Sequence, residues 1–187
     1  MLEKSIVLID AENVIKNWRV YCVERGLDYK IDYKKLIQVL TKHTNLLRAY
    51  FYDGVSENIL AKKKNFLEAL QKAGIQLRTK ALKKKRMVCE HCGHQTIKEV
   101  QKGVDVSLAT DILRHGFQRT CDICIIVSGD EDYKDAIDLV KDIGIKVWVV
   151  SLRNALSSEL EKTADKIFFI DDFVDQIKFN HPESLQK

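Results

Sequence analysis

Apolar positions along the chain fall into two alternating patterns. The first is a short, nearly unbroken apolar run, which is how a strand buried on both faces of a parallel sheet reads. Ser5–Asp10 (SIVLID), Asn45–Asp53 (NLLRAYFYD), Cys121–Val127, Ile145–Val150 and Ile167–Ile170 are of this kind, and Ile75–Lys84 alternates partly in the manner of a strand. The second is a longer stretch with apolar residues at helical spacing. It predicts helices over Glu12–Glu24, Tyr33–Thr41, Glu57–Ala73, Val104–His115, Asp130–Ile143 and Ala155–Ala164, and a terminal helix capped by Asp171 or Asp172. Their boundaries carry the usual signals: Asp32 and Ser56 as caps, Gly26 and Gly74 as stops.

Strands alternating with helices predict an α/β fold: three layers, α/β/α, around a mainly parallel central sheet of about five or six strands. The expected organisation is a single domain over residues 1–178, with a small hairpin insertion at about 86–99 and a flexible tail over 179–187. A length of 187 residues, with 45% apolar and 31% charged, suits one such core. No apolar run approaches the ~20 residues of a membrane span. The apolar run after Met1–Lys4 is too short for a secretory signal core, so a cytoplasmic protein is expected. Five cysteines, an odd number in that setting, argue against a disulfide framework.

In open parallel sheets ligands sit beyond the carboxyl ends of the strands. The residues at those ends are Asp10, Asp53, Ser128-Gly129-Asp130, Ser151 and Asp171, a mostly acidic set. A dinucleotide or P-loop protein would have a glycine-rich phosphate loop after the first strand, where this chain has Asp-Ala-Glu-Asn. Asp10 and Asp130 could each serve simply as helix caps. Asp105, beside Val104, Val106 and Leu108, reads less easily as part of a solvated face. Carboxylates gathered at one rim repel unless a cation lies among them. Oxygen ligands suit Mg²⁺ or Mn²⁺, which can lower the pKa of a water and steady a phosphate in transfer.

The segments Leu8-Ile9-Asp10-Ala11-Glu12-Asn13, Lys102-Gly103-Val104-Asp105 and Ser128-Gly129-Asp130-Glu131-Asp132-Tyr133 resemble, in order, three motifs of the NYN domain (LabA-like proteins among it), which belongs with the PIN-like nucleases. The resemblance runs from Ile6 to about Phe173. It implies a metal-dependent ribonuclease acting on RNA, usually single-stranded. By motif, Asp10, Asp105, Asp130 and Asp132 would bind the metal, and Asn13 would orient the site or its water. The family motif often continues to an acid at Asp111, which makes that residue a further candidate metal ligand. Six residues at ~100° each place that residue about 120° round the helix from Asp105, so it is expected to flank the site.

Between the basic run Lys80–Arg86 and this helix lies Cys89-Glu-His-Cys92-Gly-His94. A CxxC followed by glycine has the shape of half a zinc site. Cys89, Cys92 and His94 (or His91) give three ligands, to be completed across a homodimer, and a plain polar hairpin is the other reading. Cys121 and Cys124, three apart on an expected strand, would face opposite ways and read as small buried hydrophobes. Lys83, Lys84, Lys85 and Arg86, with Lys102, form an expected RNA-guiding track. Trp18, Tyr52 and Tyr133 are candidates to stack on bases. Two functional classes stand: a ribonuclease, and a non-catalytic RNA-binding module in which the acids are caps. A phosphatase would need an Asp and then a Thr or Val where Glu12 and Asn13 stand.

Overall fold

The computed structural model describes residues 2–88, 91–92, 94–100 and 103–179. Six strands, β1 (Lys4–Asp10), β3 (Asn45–Val55), β4 (Ile75–Ala81), β7 (Ile123–Val127), β8 (Lys146–Ser151) and β9 (Lys166–Phe169), make one sheet in the order β4-β3-β1-β7-β8-β9. Every pairing within it is parallel. Alternation along these strands builds two cores. Val7, Ile9, Phe51, Ile125 and Val127 face α1 (Ala11–Glu24), α2 (Tyr33–Leu40) and α3 (Glu57–Lys72). Ile6, Leu8, Tyr50, Tyr52 and Ile126 face α4 (Val104–Phe117), α5 (Lys134–Asp142) and α6 (Ser158–Thr163). The predicted three-layer α/β architecture is the observed one.

The differences from the sequence-based expectations are local. Ile75–Lys84 is not one strand: β4 ends at Ala81, and Lys83–Val88 (β5) pairs with Gln95–Val100 (β6) in a separate antiparallel hairpin. The insertion therefore begins earlier than 86. Two short strands, Lys30–Ile31 (β2) and Lys178–Phe179 (β10), pair with each other, which takes Phe179 out of the expected tail; residues 180–187 lie outside the described residues. Two-residue strands carry no periodicity that could announce them. The helix expected from Asp130 begins instead as a 3-10 turn over Glu131–Tyr133 before α5. The helix expected over 155–164 is shorter, Ser158–Thr163, because Ser157 caps it through the Leu160 N–H. Among the described residues no helix is long and apolar enough to cross a membrane.

The topology fixes where a ligand crevice opens. From β1 the chain proceeds outward through β3 to β4, then returns to lay β7, β8 and β9 on the other side of β1. The connections leaving β1 and β7 thus diverge to opposite faces, and the gap between their carboxyl ends is the switch point of the sheet. Asp10 ends β1, and Ser128-Gly129-Asp130 follows β7.

Candidate active site

Asp10 is the centre of the crevice. It is 3% exposed. Its Oδ1 accepts the backbone N–H of Asn13 at 3.2 Å, closing the first turn of α1. Its Oδ2 accepts the Ser128 hydroxyl at 3.1 Å and the Tyr133 hydroxyl at 3.0 Å. Burial raises the pKa of Asp10 above the ordinary carboxylate value, the three donors oppose that rise, and the charge of Asp105 adds to it. Burial wins over three hydrogen bonds, so this carboxylate holds its negative charge at a cost that a nearby cation would relieve. Tyr133 is raised too, first by burial and then by the charge of Asp10, with Asp105 and Asp130 contributing; it stays a neutral donor.

Asn13 ties the two sides together. Its side-chain Oδ1 accepts the Gly129 N–H at 3.2 Å, linking the start of α1 to the loop after β7. Gly129 is required there by space: a Cβ would lie 2.0 Å from the carbonyl oxygen of Ala155 and 2.6 Å from the Ser151 hydroxyl. The loop is pinned again by Ser128, whose Oγ accepts the Asp130 N–H at 3.3 Å. Asp130 is partly buried and its Oδ1 accepts the Asp132 N–H at 3.2 Å.

The structure thus brings Asp10, Asn13 and Asp130 to one crevice, with Asp105 close enough to act on Asp10 and Tyr133 through its charge. Asp105 itself is exposed, contrary to the sequence reading: Val104 and Leu108, four apart, turn into the core, and Asp105 and Val106 turn out. Asp132 is exposed, and its carboxylate makes no hydrogen bond or ion pair among the described residues. Among those residues no three of His, Cys, Asp and Glu stand close enough to form a ready-made metal cage. One or two carboxylates with retained waters suffice for Mg²⁺, so the donor set fits a hard, hydrated ion rather than a closed site.

Asp111 points elsewhere. Its Oδ2 accepts the Tyr52 hydroxyl at 2.6 Å, and its two oxygens pair with Arg78 at 3.4 Å and Arg114 at 2.9 Å. That carboxylate is committed to joining α4 to β3 and β4. Tyr52, Tyr133 and Trp18 are not base-stacking surfaces: all three are buried, and the Trp18 indole donates to the Tyr29 carbonyl at 2.7 Å. Cys121 and Cys124 are buried free thiols as expected, but not for the reason of alternation. Cys121 precedes β7, so both sit in the same core. Burial pushes the Cys121 thiol up to about 11 and raises the Cys124 thiol well above its ordinary value, which leaves both unreactive.

Of the expected zinc ligands, Cys92 and His94 are exposed and Cys89 lies outside the described residues. Lys83, Lys84, Lys85 and Arg86 lie on β5, and Lys102 is outside the described residues. Three residues at or beside the site were given no part in it by the sequence reading. Ser128 and Tyr133 stand inside the quoted motif, but only their contact with Asp10 reveals their part. Asp53, at the end of β3, is 4% exposed and paired with Lys63 at 2.9 Å. Its place among the strand-end acids was the available signal.

Comparison with known proteins bears on the family and the fold. The sequence profile described as "NYN domain" matches residues 4–171. A crystal structure of a protein of unknown function, VPA0982 from Vibrio parahaemolyticus RIMD 2210633, superimposes with a TM-score of 0.70 at 23% identity, covering 95% of this chain and 97% of that one. At that identity the likeness shows the fold alone. The uncharacterized protein y4oD of Sinorhizobium fredii (strain NBRC 101917 / NGR234) is 30% identical over 59 residues, 32% of this chain, and the match spans only 28% of that relative's length.

Proposed function

From the premise that this chain belongs to the NYN domain family, with its nuclease-like fold, we propose that it is a metal-dependent ribonuclease that hydrolyses phosphodiester bonds of single-stranded RNA. The observation that carries the reading is the buried, hydrogen-bonded Asp10 at the switch point, its pKa raised and the Asp105 charge beside it. Asp10, Asp105 and Asp130, with Asp132 at the rim, would hold a Mg²⁺ or Mn²⁺ ion. When bound, such an ion lends its charge to the phosphate undergoing attack and to the attacking water.

The chain's own groups have distinct parts. Ser128 and Tyr133 fix the Asp10 carboxylate by donating to one oxygen. Asn13 holds the loop carrying Asp130 against α1. Tyr133, kept protonated, cannot act as a base at neutral pH, and among the described residues no histidine lies at the crevice, so proton removal falls to the carboxylates and solvent. A cytoplasmic setting suits the free thiols of Cys22, Cys92, Cys121 and Cys124.

A second reading, an RNA-binding module without catalysis, is favoured by one observation: Asp10 and Asp130 both already serve as caps, to the N–H groups of Asn13 and Asp132. The two separate in one assay. Labelled single-stranded and duplex RNA are incubated with the protein in Mg²⁺, in Mn²⁺ and in chelator, beside the Asp10→Asn variant. Metal-dependent cleavage that disappears in the variant, with binding retained, supports the enzyme. Equal products from wild type and variant would reject it.

A further inference from the structure

Beside the acidic crevice lies a cleft of about 410 Å³ that the motifs reach only through Glu12. One wall is a stripe of α1, in which Glu12, Lys16 and Arg19 recur at spacings of four and three and so share a face. The opposite wall carries Asp53 and Lys63. Leu82 closes the far side, immediately before the Lys-Lys-Lys-Arg run of β5.

The charges in this cleft are not equivalent. Lys63 is spent on the buried Asp53 carboxylate at 2.9 Å. Lys16 and Arg19 are exposed and have no hydrogen bond or ion pair among the described residues. The helix sets their distance from the site: at 1.5 Å per residue, Lys16 and Arg19 lie about 9 and 14 Å along the axis from Asp10. Glu12 marks the end nearest Asp10, so the cleft runs from acidic at the crevice to basic away from it. A cation belongs at the first end and an anionic chain at the second.

We propose that this cleft is the binding track for the sugar-phosphate backbone on one side of the cut, with Lys16 and Arg19 each holding a phosphate of single-stranded RNA. The inference rests on the ribonucleolytic reading and extends it to residues outside its motifs. The occupant is the single-stranded RNA of the ribonucleolytic reading, whose phosphates the two uncommitted cations suit. Contacts to phosphate position the strand without reading its sequence, so cleavage is independent of base identity on that side.

The test is binding of a fluorescently labelled oligouridine to the full chain carrying Asp10→Asn, followed by anisotropy across a range of salt concentrations. Losing two phosphate contacts on a single strand reduces the slope of log affinity against log salt by about 1.4. The Lys16→Gln/Arg19→Gln double variant is expected to show that reduction, with affinity at low salt down on the order of tenfold. The pair Lys34→Gln/Lys42→Gln, two exposed lysines of α2 and the turn after it, should change neither. Unchanged slope and affinity in the cleft variant, or equal losses in both pairs, would overturn the track. If the parent binds no RNA, the ribonucleolytic reading falls together with the track. If it binds RNA with the expected slope change but the wild type cuts none, the track stands and the catalytic reading alone fails. Matching thermal melts of the variants and the parent exclude loss of the fold as the cause.

Discussion

Asp111 allows the strongest test of which acids belong to the site. By motif it could be a metal ligand; by geometry it is a structural anchor. Replacing it with alanine leaves the Tyr52 hydroxyl, on a fully buried side chain, without its 2.6 Å acceptor. A buried donor left unmatched costs about 1–3 kcal/mol. The two ion pairs contribute less. The Arg78 and Arg114 side chains are 40% and 42% exposed, so water screens them, and each pair is worth at most about 1 kcal/mol. The sum is roughly 1–5 kcal/mol. For a chain of this length each kcal/mol moves Tm by about 2–4 °C, so Asp111→Ala should lower Tm by roughly 2–20 °C. Asp111→Asn keeps an oxygen for Tyr52 and should lose about half as much or less. In a double-mutant cycle, Tyr52→Phe should add little to Asp111→Ala, because both remove the same bond. Melts are followed by circular dichroism, and RNA cleavage is measured well below both transitions, where every variant is folded. The expected result is a large stability loss with an unaltered cleavage rate. A stable Asp111→Asn variant whose metal-dependent cleavage collapses would refute the structural assignment and return Asp111 to the metal.

Three further outcomes are expected. The folded-state pKa of Asp10 is raised, so the native state binds that proton more tightly than the unfolded chain; its favourable contribution is present in acid and is lost as pH rises through the folded value. Asp10→Asn, which keeps a good helix cap, should therefore be more stable than wild type at pH 8 in chelator, with the gap closing toward pH 4; a less stable variant would contradict this. Mg²⁺ at a hundredfold its dissociation constant should stabilise wild type by about 2.7 kcal/mol and leave the variant unmoved, whereas equal shifts would mean that the ion binds elsewhere. Gly129→Ala drives a methyl into the Ala155 carbonyl, so the loop bearing Asp130 must shift. Cleavage should fall by about 10²-fold or more, since misplacement of about 1 Å is enough for that, and wild-type activity would show that the loop position is immaterial.

The parts of this molecule that were legible are those set by local pattern. β1 and β7 are continuous apolar runs because both faces of the central strands are covered, and an acid just beyond such a run can only lie at the sheet's rim. That places Asp10 and Asp130 without any contact being known. What escaped depends on pairings distant in the chain. Nothing near Asp111 announces that Tyr52 and Arg78, from β3 and β4, will converge on it. The aromatic residues misled for the same reason: a tyrosine at a strand end reads alike whether its hydroxyl meets solvent or a carboxylate. Tyr133 meets Asp10 because the 3-10 turn over Glu131–Tyr133 rotates it inward, where a regular helix had been expected. Cys121 shows that a right conclusion can stand on a wrong premise, since the alternation argument was applied two residues outside the sheet register.

The placement of Asp10 carries a tension that explains why its neighbours are what they are. A carboxylate at the switch point of a six-stranded sheet is surrounded by β1, β3 and β7, and so loses most of its water. Left alone it would take up a proton and become useless as an anion. The Ser128 and Tyr133 hydroxyls and the Asn13 N–H counter that by donating to it, yet they do not fully restore the ordinary pKa, and Asp105 pushes the other way. Burial is the largest cause of the raised value and Asp105 the smallest, so the imbalance lies mainly in lost water, which a cation at the crevice would offset. A site short of positive charge by this margin is one that an incoming ion completes. On this argument, Ser128 and Tyr133 tune how strongly the crevice demands that ion, and the uncommitted Lys16 and Arg19 must lie down the neighbouring cleft, where they attract phosphate without neutralising Asp10.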